Sequence, residues 1–78
     1  MREVKKGQIY RHFKGTYHEV LAIAKHTETL EDLVIYTHGD QIWARPYSMF
    51  LSKVDKEKYP SVKEEYRFTL VENDDRSH

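Results

Sequence analysis

Tyr17-His18-Glu19-Val20-Leu21-Ala22-Ile23-Ala24-Lys25 contains the longest apolar run of the chain, and its reading decides the fold. The segment is β-branched and aromatic, a composition that favours a strand. Its apolar residues fall on both parities, Val20, Ala22 and Ala24 on one and Leu21 and Ile23 on the other. That pattern fits a strand covered on both faces, or one that bends through a small barrel. A helix is the rival reading, because Val20, Leu21 and Ala24 would share a helical face. Tyr17, Val20 and Ile23 are mediocre helix formers and the segment is short, so a central strand is predicted.

The flanking sequence supplies its partners. Upstream, Gly7 to Phe13 reads as a strand, and Lys14-Gly15-Thr16 carries the turn signal that reverses it. Downstream, the polar and acidic residues from His26 to Asp32 form a loop, and Leu33 to Thr37 has the composition of a third strand. His38-Gly39-Asp40 then turns the chain into a fourth strand, Gln41 to Arg45, which Pro46 ends because proline cannot donate to a ladder. A short helical turn is predicted within Tyr47 to Val54, with Phe50 and Val54 four apart and Pro46 in a tolerated first-turn place. Residues 55–65 are charged, contain Pro60 and form a surface connection; Tyr66 to Val71 alternates into a fifth strand. The expected fold class is all-β, a small, partly open five-stranded antiparallel barrel with one helical turn before the last strand. Residues 1–72 are expected to form a single domain and residues 73–78 a frayed tail.

Composition narrows the function classes. Seventy-eight residues allow one small domain with a thin core and no separate cofactor domain. Aromatic residues make up 13% of the chain, so rings must supply much of the buried area. Thirteen Lys+Arg balance thirteen Asp+Glu, which removes the broad positive field of a non-specific nucleic-acid binder. The balance is uneven along the chain: residues 1–26 hold six Lys/Arg against Glu3 and Glu19, a net +4, and the remainder carries −4. No cysteine is present, which excludes disulfides, thiolate zinc sites and cysteine nucleophiles. The run from Val20 to Ala24 is too short to span a bilayer, and Met-Arg-Glu-Val-Lys-Lys-Gly lacks the apolar segment of a signal peptide. A cytoplasmic protein without membrane partners is expected.

Several motifs recur together: Tyr-Arg-His-Phe-Lys-Gly at 10–15, Ala-Lys-His-Thr-Glu-Thr at 24–29, Val-Ile-Tyr at 34–36, Trp-Ala-Arg-Pro-Tyr-Ser-Met-Phe at 43–50, and Arg67-Phe68. As an ordered set they resemble a family of small bacterial proteins known as domain of unknown function 1653, over most of residues 7–68. The resemblance implies an SH3-like barrel and a soluble bacterial protein, and brings no established activity or residue role with it.

Three groups of residues could carry chemistry. His26 and Glu28 would share a face of an extended strand, since strand residues alternate with period two. Two ligands could begin a metal site, but a catalytic zinc site takes three protein ligands plus water and no third ligand is fixed by spacing, so no metal is assigned. A carboxylate beside His26 could orient its ring for acid–base work, the basis of an alternative reading as a hydrolase or lyase-like enzyme. No nucleophile elbow, triad spacing or Gly-rich phosphate loop accompanies it. In the bland reading, Thr27 and Glu28 organise the loop by hydrogen bonds to backbone donors. The second group is Arg11, Lys14 and Lys25 with Tyr10, Tyr17 and Trp43: cations for phosphate or carboxylate, rings for stacking, or otherwise a solvated face with snorkelling stems. Third, Arg45 is expected in an ion pair, with Glu28 as the candidate, while Trp43 and Phe50 are expected in the core.

Pairing geometry divides these groups. A first turn centred on Gly15 sets His12 opposite His18; a later turn centred on Gly39 sets Thr37 near Gln41 and Val34 near Arg45. His12, His18 and His38 then lie toward one end of the sheet, and His26, Glu28 and Arg45 toward the other, which is the preferred pocket unless a bulge alters the register. The resulting expectation is a binding module without cofactor or chemistry of its own, recognising an anionic small molecule, nucleotide or peptide. Arg11, His12, Lys14, His26, Glu28 and Arg45 are the candidate ligand-binding residues, and a protein-interaction module with an exposed aromatic groove is a further alternative.

Overall fold

In a computed structural model of the protein, which describes residues 3–71, five strands and one helical turn follow in the order β1 (Ile9–His12), β2 (Tyr17–Lys25), β3 (Asp32–His38), β4 (Gln41–Pro46), α1 (Tyr47–Phe50) and β5 (Phe68–Leu70). All pairings are antiparallel and make one open sheet in the order β4-β3-β2-β1-β5. The all-β class, the five strands and the single helical turn match the sequence reading, and β4 and β5 form the two edges of the sheet. The expected tail at 73–78 lies outside the described residues.

β2 owes its mixed parity to a bulge. Tyr17 to Glu19 pairs with β1, Val20 to Lys25 with β3, and the register shifts between Val20 and Ala22. One extra residue reverses which side chains face inward. His18 and Val20 are buried before the shift, and Ile23, of the opposite parity, stands opposite the buried Val34 after it, on the core face yet 38% exposed. The strand is therefore bulged, and the exposure of Ile23 departs from the expectation of cover on both faces.

The turns set the register of the functional face. β1 and β2 are joined by Phe13-Lys14-Gly15: the Gly15 N–H donates to the His12 carbonyl (2.8 Å) and the His12 N–H to that of Thr16 (2.7 Å). Gly15, at φ 104°, ends a three-residue loop in a conformation that L side chains resist. The reversal thus centres on Lys14, and Tyr10 rather than His12 stands opposite His18, a two-residue correction to the predicted register. The β3–β4 hairpin agrees closely with its prediction, with Val34 opposite Arg45 and Thr37 opposite Ile42. Gly39, at φ 63°, is the first central residue of this two-residue turn, the position at which a type II′ hairpin calls for glycine.

The core lies on one face of the sheet, beneath α1. Val4, Tyr10, Val20, Val34, Tyr36, Phe50 and Phe68 are buried together. Phe50 stacks on Phe68 with centroids 4.1 Å apart and receives the edges of Tyr10 and Tyr36 at 5.0 and 5.5 Å. The helical turn takes the first half of the expected Tyr47 to Val54 stretch, because after Phe50 the chain extends and pairs Lys53 with Tyr66. Val54 is still buried, anchored by its N–H to the Glu65 carbonyl at 2.9 Å. The same bridge takes Tyr66 out of β5, which begins at Phe68.

A cationic, ring-lined cavity at the open end of the sheet

Side chains at alternate positions of β3 and β4 point to the core face. Val34 and Tyr36 fill the core, and His38, Trp43 and Arg45 continue the same face past its edge. There they meet His12 at the end of β1 and His18 in β2, and bound a cavity of about 230 Å3 whose wall also includes Lys14 and Phe68.

Each polar group has a defined place. The His18 ring is buried between two partners: Nδ1 lies 2.7 Å from the Thr37 carbonyl and Nε2 2.8 Å from Thr16 Oγ1. A carbonyl only accepts, so Nδ1 carries hydrogen and His18 is a fixed wall of the cavity. His12 differs. Its Nδ1 accepts the Lys14 N–H at 3.1 Å, which leaves Nε2 to carry the hydrogen of the neutral ring. Burial, with the charges of His18, Arg45, Lys14 and Arg67, lowers the His12 pKa from 6.5 to about 4, so the ring is neutral at pH 7.

Arg45 donates from Nε to the Tyr36 hydroxyl at 3.2 Å and holds its guanidinium carbon 5.6 Å from the Phe68 ring centre. These contacts aim the side chain at the core face, and it makes no ion pair with a carboxylate among the described residues. The expected partner Glu28 is on a loop with an 81% exposed side chain. Trp43 is 41% exposed rather than part of the core, its ring lying flat on His38 at 3.7 Å and 7°. His38 in turn stacks on His18 at 5.4 Å, so three rings step outward from the buried end of the cavity. Trp43 escapes the core because β4 is an edge strand with no neighbour to cover it.

Of the six candidate residues, His12, Lys14 and Arg45 converge on this cavity. Arg11 points elsewhere and pairs with Glu64 at 3.0 Å; its guanidinium donates a hydrogen bond to that carboxylate and so lowers the Glu64 pKa. His26 and Glu28 line neither this cavity nor its two neighbours. His26 Nδ1 instead receives the N–H groups of Glu28 (3.1 Å) and Thr29 (3.3 Å), tying down the β2–β3 loop, and lies 3.8 Å from the Glu28 carboxylate. This is the loop-organising role, with the imidazole rather than Glu28 as backbone acceptor. The bulged, bent sheet therefore gathers the chemistry at the three-histidine end and brings Arg45 to it, contrary to the preferred pocket. Among the described residues no group of three His, Cys, Asp or Glu side chains is placed to hold a metal ion, and no helix is long and apolar enough to cross a membrane.

Sheet and cavity together define a small open antiparallel β domain with a basic, ring-lined pocket beside its core. The chain belongs to the family described as protein of unknown function (DUF1653), whose model matches residues 8–70. It is similar to the crystal structure of a member of that family from Bordetella bronchiseptica, at 29% identity and a TM-score of 0.71, over 91% of each chain. No protein with a curated description matches it.

Proposed function

We propose that this protein is a binding module whose cavity takes a small anionic ligand bearing a planar ring. One observation carries this reading: Lys14 and Arg45 converge beside Trp43 on a cavity to which no carboxylate contributes among the described residues. Cations without an acidic neighbour attract phosphate, sulfonate or carboxylate, and the rings offer faces for stacking. The neutral His12 adds a hydrogen-bond donor without a third full charge. A sheet order with the last strand beside the first supports reading residues 1–72 as one SH3-like barrel domain, and a cysteine-free composition fits a cytoplasmic setting.

A peptide-binding reading has its own support. β4 is an edge strand, and Ile42, Trp43 and Met49 are exposed around a shallow depression beside it, the setting for an added strand. The cationic cavity favours the small anion.

Trp43 is the sole tryptophan, so its emission reports directly on the cavity. Titration with adenosine monophosphate and with aromatic sulfonates at low salt is expected to give a saturable change for at least one of them. Lys14→Gln is expected to weaken that binding about tenfold, the size of a lost charge-assisted contact. No saturable change with any ring-bearing anion would refute the proposal.

A further inference from the structure

A second cavity, of about 310 Å3, lies on the far side of His12, Lys14 and Arg45 and shares those three residues with the first. Its remaining wall comes from Phe13, Asp55, Lys58, Tyr59 and Arg67. We infer that this second cavity is a phosphate subsite, so that the ligand of the first cavity is a ring-bearing phosphate monoester spanning both. This inference rests on the binding reading above and adds the chemical class of the ligand and two residues, Lys58 and Arg67.

Four cations face the cavity, Lys14, Arg45, Lys58 and Arg67, against the single carboxylate of Asp55. That carboxylate is engaged in its own turn: Oδ1 accepts the N–H groups of Glu57 (3.0 Å) and Lys58 (3.4 Å). None of the four cations enters an ion pair among the described residues, while Arg11, Lys25 and Lys53 elsewhere on the surface pair with Glu64, Asp32 and Glu65. Arg67 is the most telling. Its Nε is buried and has no hydrogen-bond partner among the described residues. An unfilled buried donor is costly, and native structures fill such sites with protein, water or ligand.

The frame around Arg67 is fixed on both sides. Its N–H donates to the Ser52 carbonyl at 3.0 Å and its carbonyl accepts the Phe13 N–H at 2.9 Å. Two lysines are held at the rim by rings: Lys14 Nζ lies 5.5 Å from the centre of Tyr59 and 6.0 Å from that of Phe13, and Lys58 Nζ lies 5.6 Å from Tyr59. Cations arriving from four separate segments surround a tetrahedral dianion better than a planar monoanion, and arginine is suited to phosphate through its fork of donors. The shared wall matters as well. The charges of Arg45, Lys14 and Arg67 all act on His12, so the positive field is continuous from one cavity to the other.

The test is a 1H–15N NMR titration of the full chain at low ionic strength with inorganic phosphate, adenosine and adenosine monophosphate. Phosphate alone is expected to shift the amides of Phe13, Lys58 and Tyr59 and the Arg67 Nε–H. The monophosphate is expected to shift these and the Trp43 indole, and to bind at least about tenfold more tightly than adenosine. Arg67→Gln should remove most of that advantage. Lys58→Gln, at an exposed position where folding is not at stake, should weaken phosphate several-fold. Monophosphate binding at Trp43 that neither variant changes, or equal binding of nucleoside and nucleotide, would overturn the phosphate subsite while leaving the first cavity as a ligand site. Adenosine monophosphate shifts at Arg67 without any response of Trp43 would overturn the spanning ligand and the first cavity's role together. No shift at either cavity would overturn both.

Discussion

His12 occupies the wall between the two cavities, and its chemistry makes binding depend on pH. In the free protein its pKa is lowered to about 4 by burial first and then by the positive groups around it. An anion between Lys14 and Arg45 would offset those charges, so the complex has the higher His12 pKa and takes up a proton on binding. Affinity should therefore rise as pH falls below the His12 pKa of the complex and level off near the free value of about 4. An aromatic sulfonate is the suitable probe, because a phosphate ester changes its own charge near pH 6. Calorimetric titrations between pH 7.5 and 5 check the rise, and His12→Asn should flatten it. A flat profile in the native chain would refute the linkage. Arg11 and His18 make a contrast of a different kind. Arg11→Gln breaks a partly exposed ion pair and should leave the urea midpoint nearly unchanged. His18→Phe removes the buried ring's bond to the partly buried Thr37 carbonyl and should cost roughly 1–3 kcal/mol in urea denaturation.

At the scale of elements, the β-branched and aromatic composition of β2, the turn glycines and the proline that closes β4 made the strands legible in the sequence. What the sequence did not reveal was how they were displaced. Both parities of β2 are apolar, so nothing local says at which residue the inward face switches, and the bulge between Val20 and Ala22 is set by pairing with two different strands. The first turn reads as centred on its glycine, yet a left-handed residue at the end of a three-residue loop leaves the centre at Lys14. Those shifts decide which histidines meet. Trp43 has the same parity as the buried Tyr36 opposite it, and only the sheet order shows that its strand is an edge. Arg67 gave no signal as a site residue, since the other walls of its cavity come from distant segments. Gly39→Ala tests the hairpin: nothing lies within 4 Å of the added methyl group, so the expected cost of about 1–2 kcal/mol in urea denaturation is conformational.

The whole molecule is a small sheet stabilised by stacked rings, and its stability should follow the protonation of its cavity. Unfolded His12 binds a proton near pH 6.5, whereas the folded ring resists it until about pH 4. Between those values the unfolded chain holds more protons, so stability is complete above about 6.5 and declines as pH falls toward 4. Discounted for the solvent that reaches the ring, the loss is on the order of 1–2 kcal/mol. The lowered Glu64 pKa acts in the same direction further into acid, where Arg11 loses its carboxylate partner. Urea midpoints at pH 7.5, 5.5 and 4.5 measure the slope, and His12→Asn should reduce it. The charge division along the chain did not anticipate the site: Lys14 comes from the basic first third, but Arg45, Lys58 and Arg67 come from the part whose net charge is negative. Folding, rather than local composition, concentrates the positive charge. The central claim is that this concentrated charge binds a ring-bearing anion at Trp43. It is tested most directly by following Trp43 emission during adenosine monophosphate titration of the native chain, Arg45→Gln and Arg11→Gln. The native chain and Arg11→Gln are expected to saturate at the same midpoint, with Arg45→Gln weaker by about tenfold or more. Absence of saturation in the native chain, or equal weakening by the two substitutions, would contradict the cavity as the binding site.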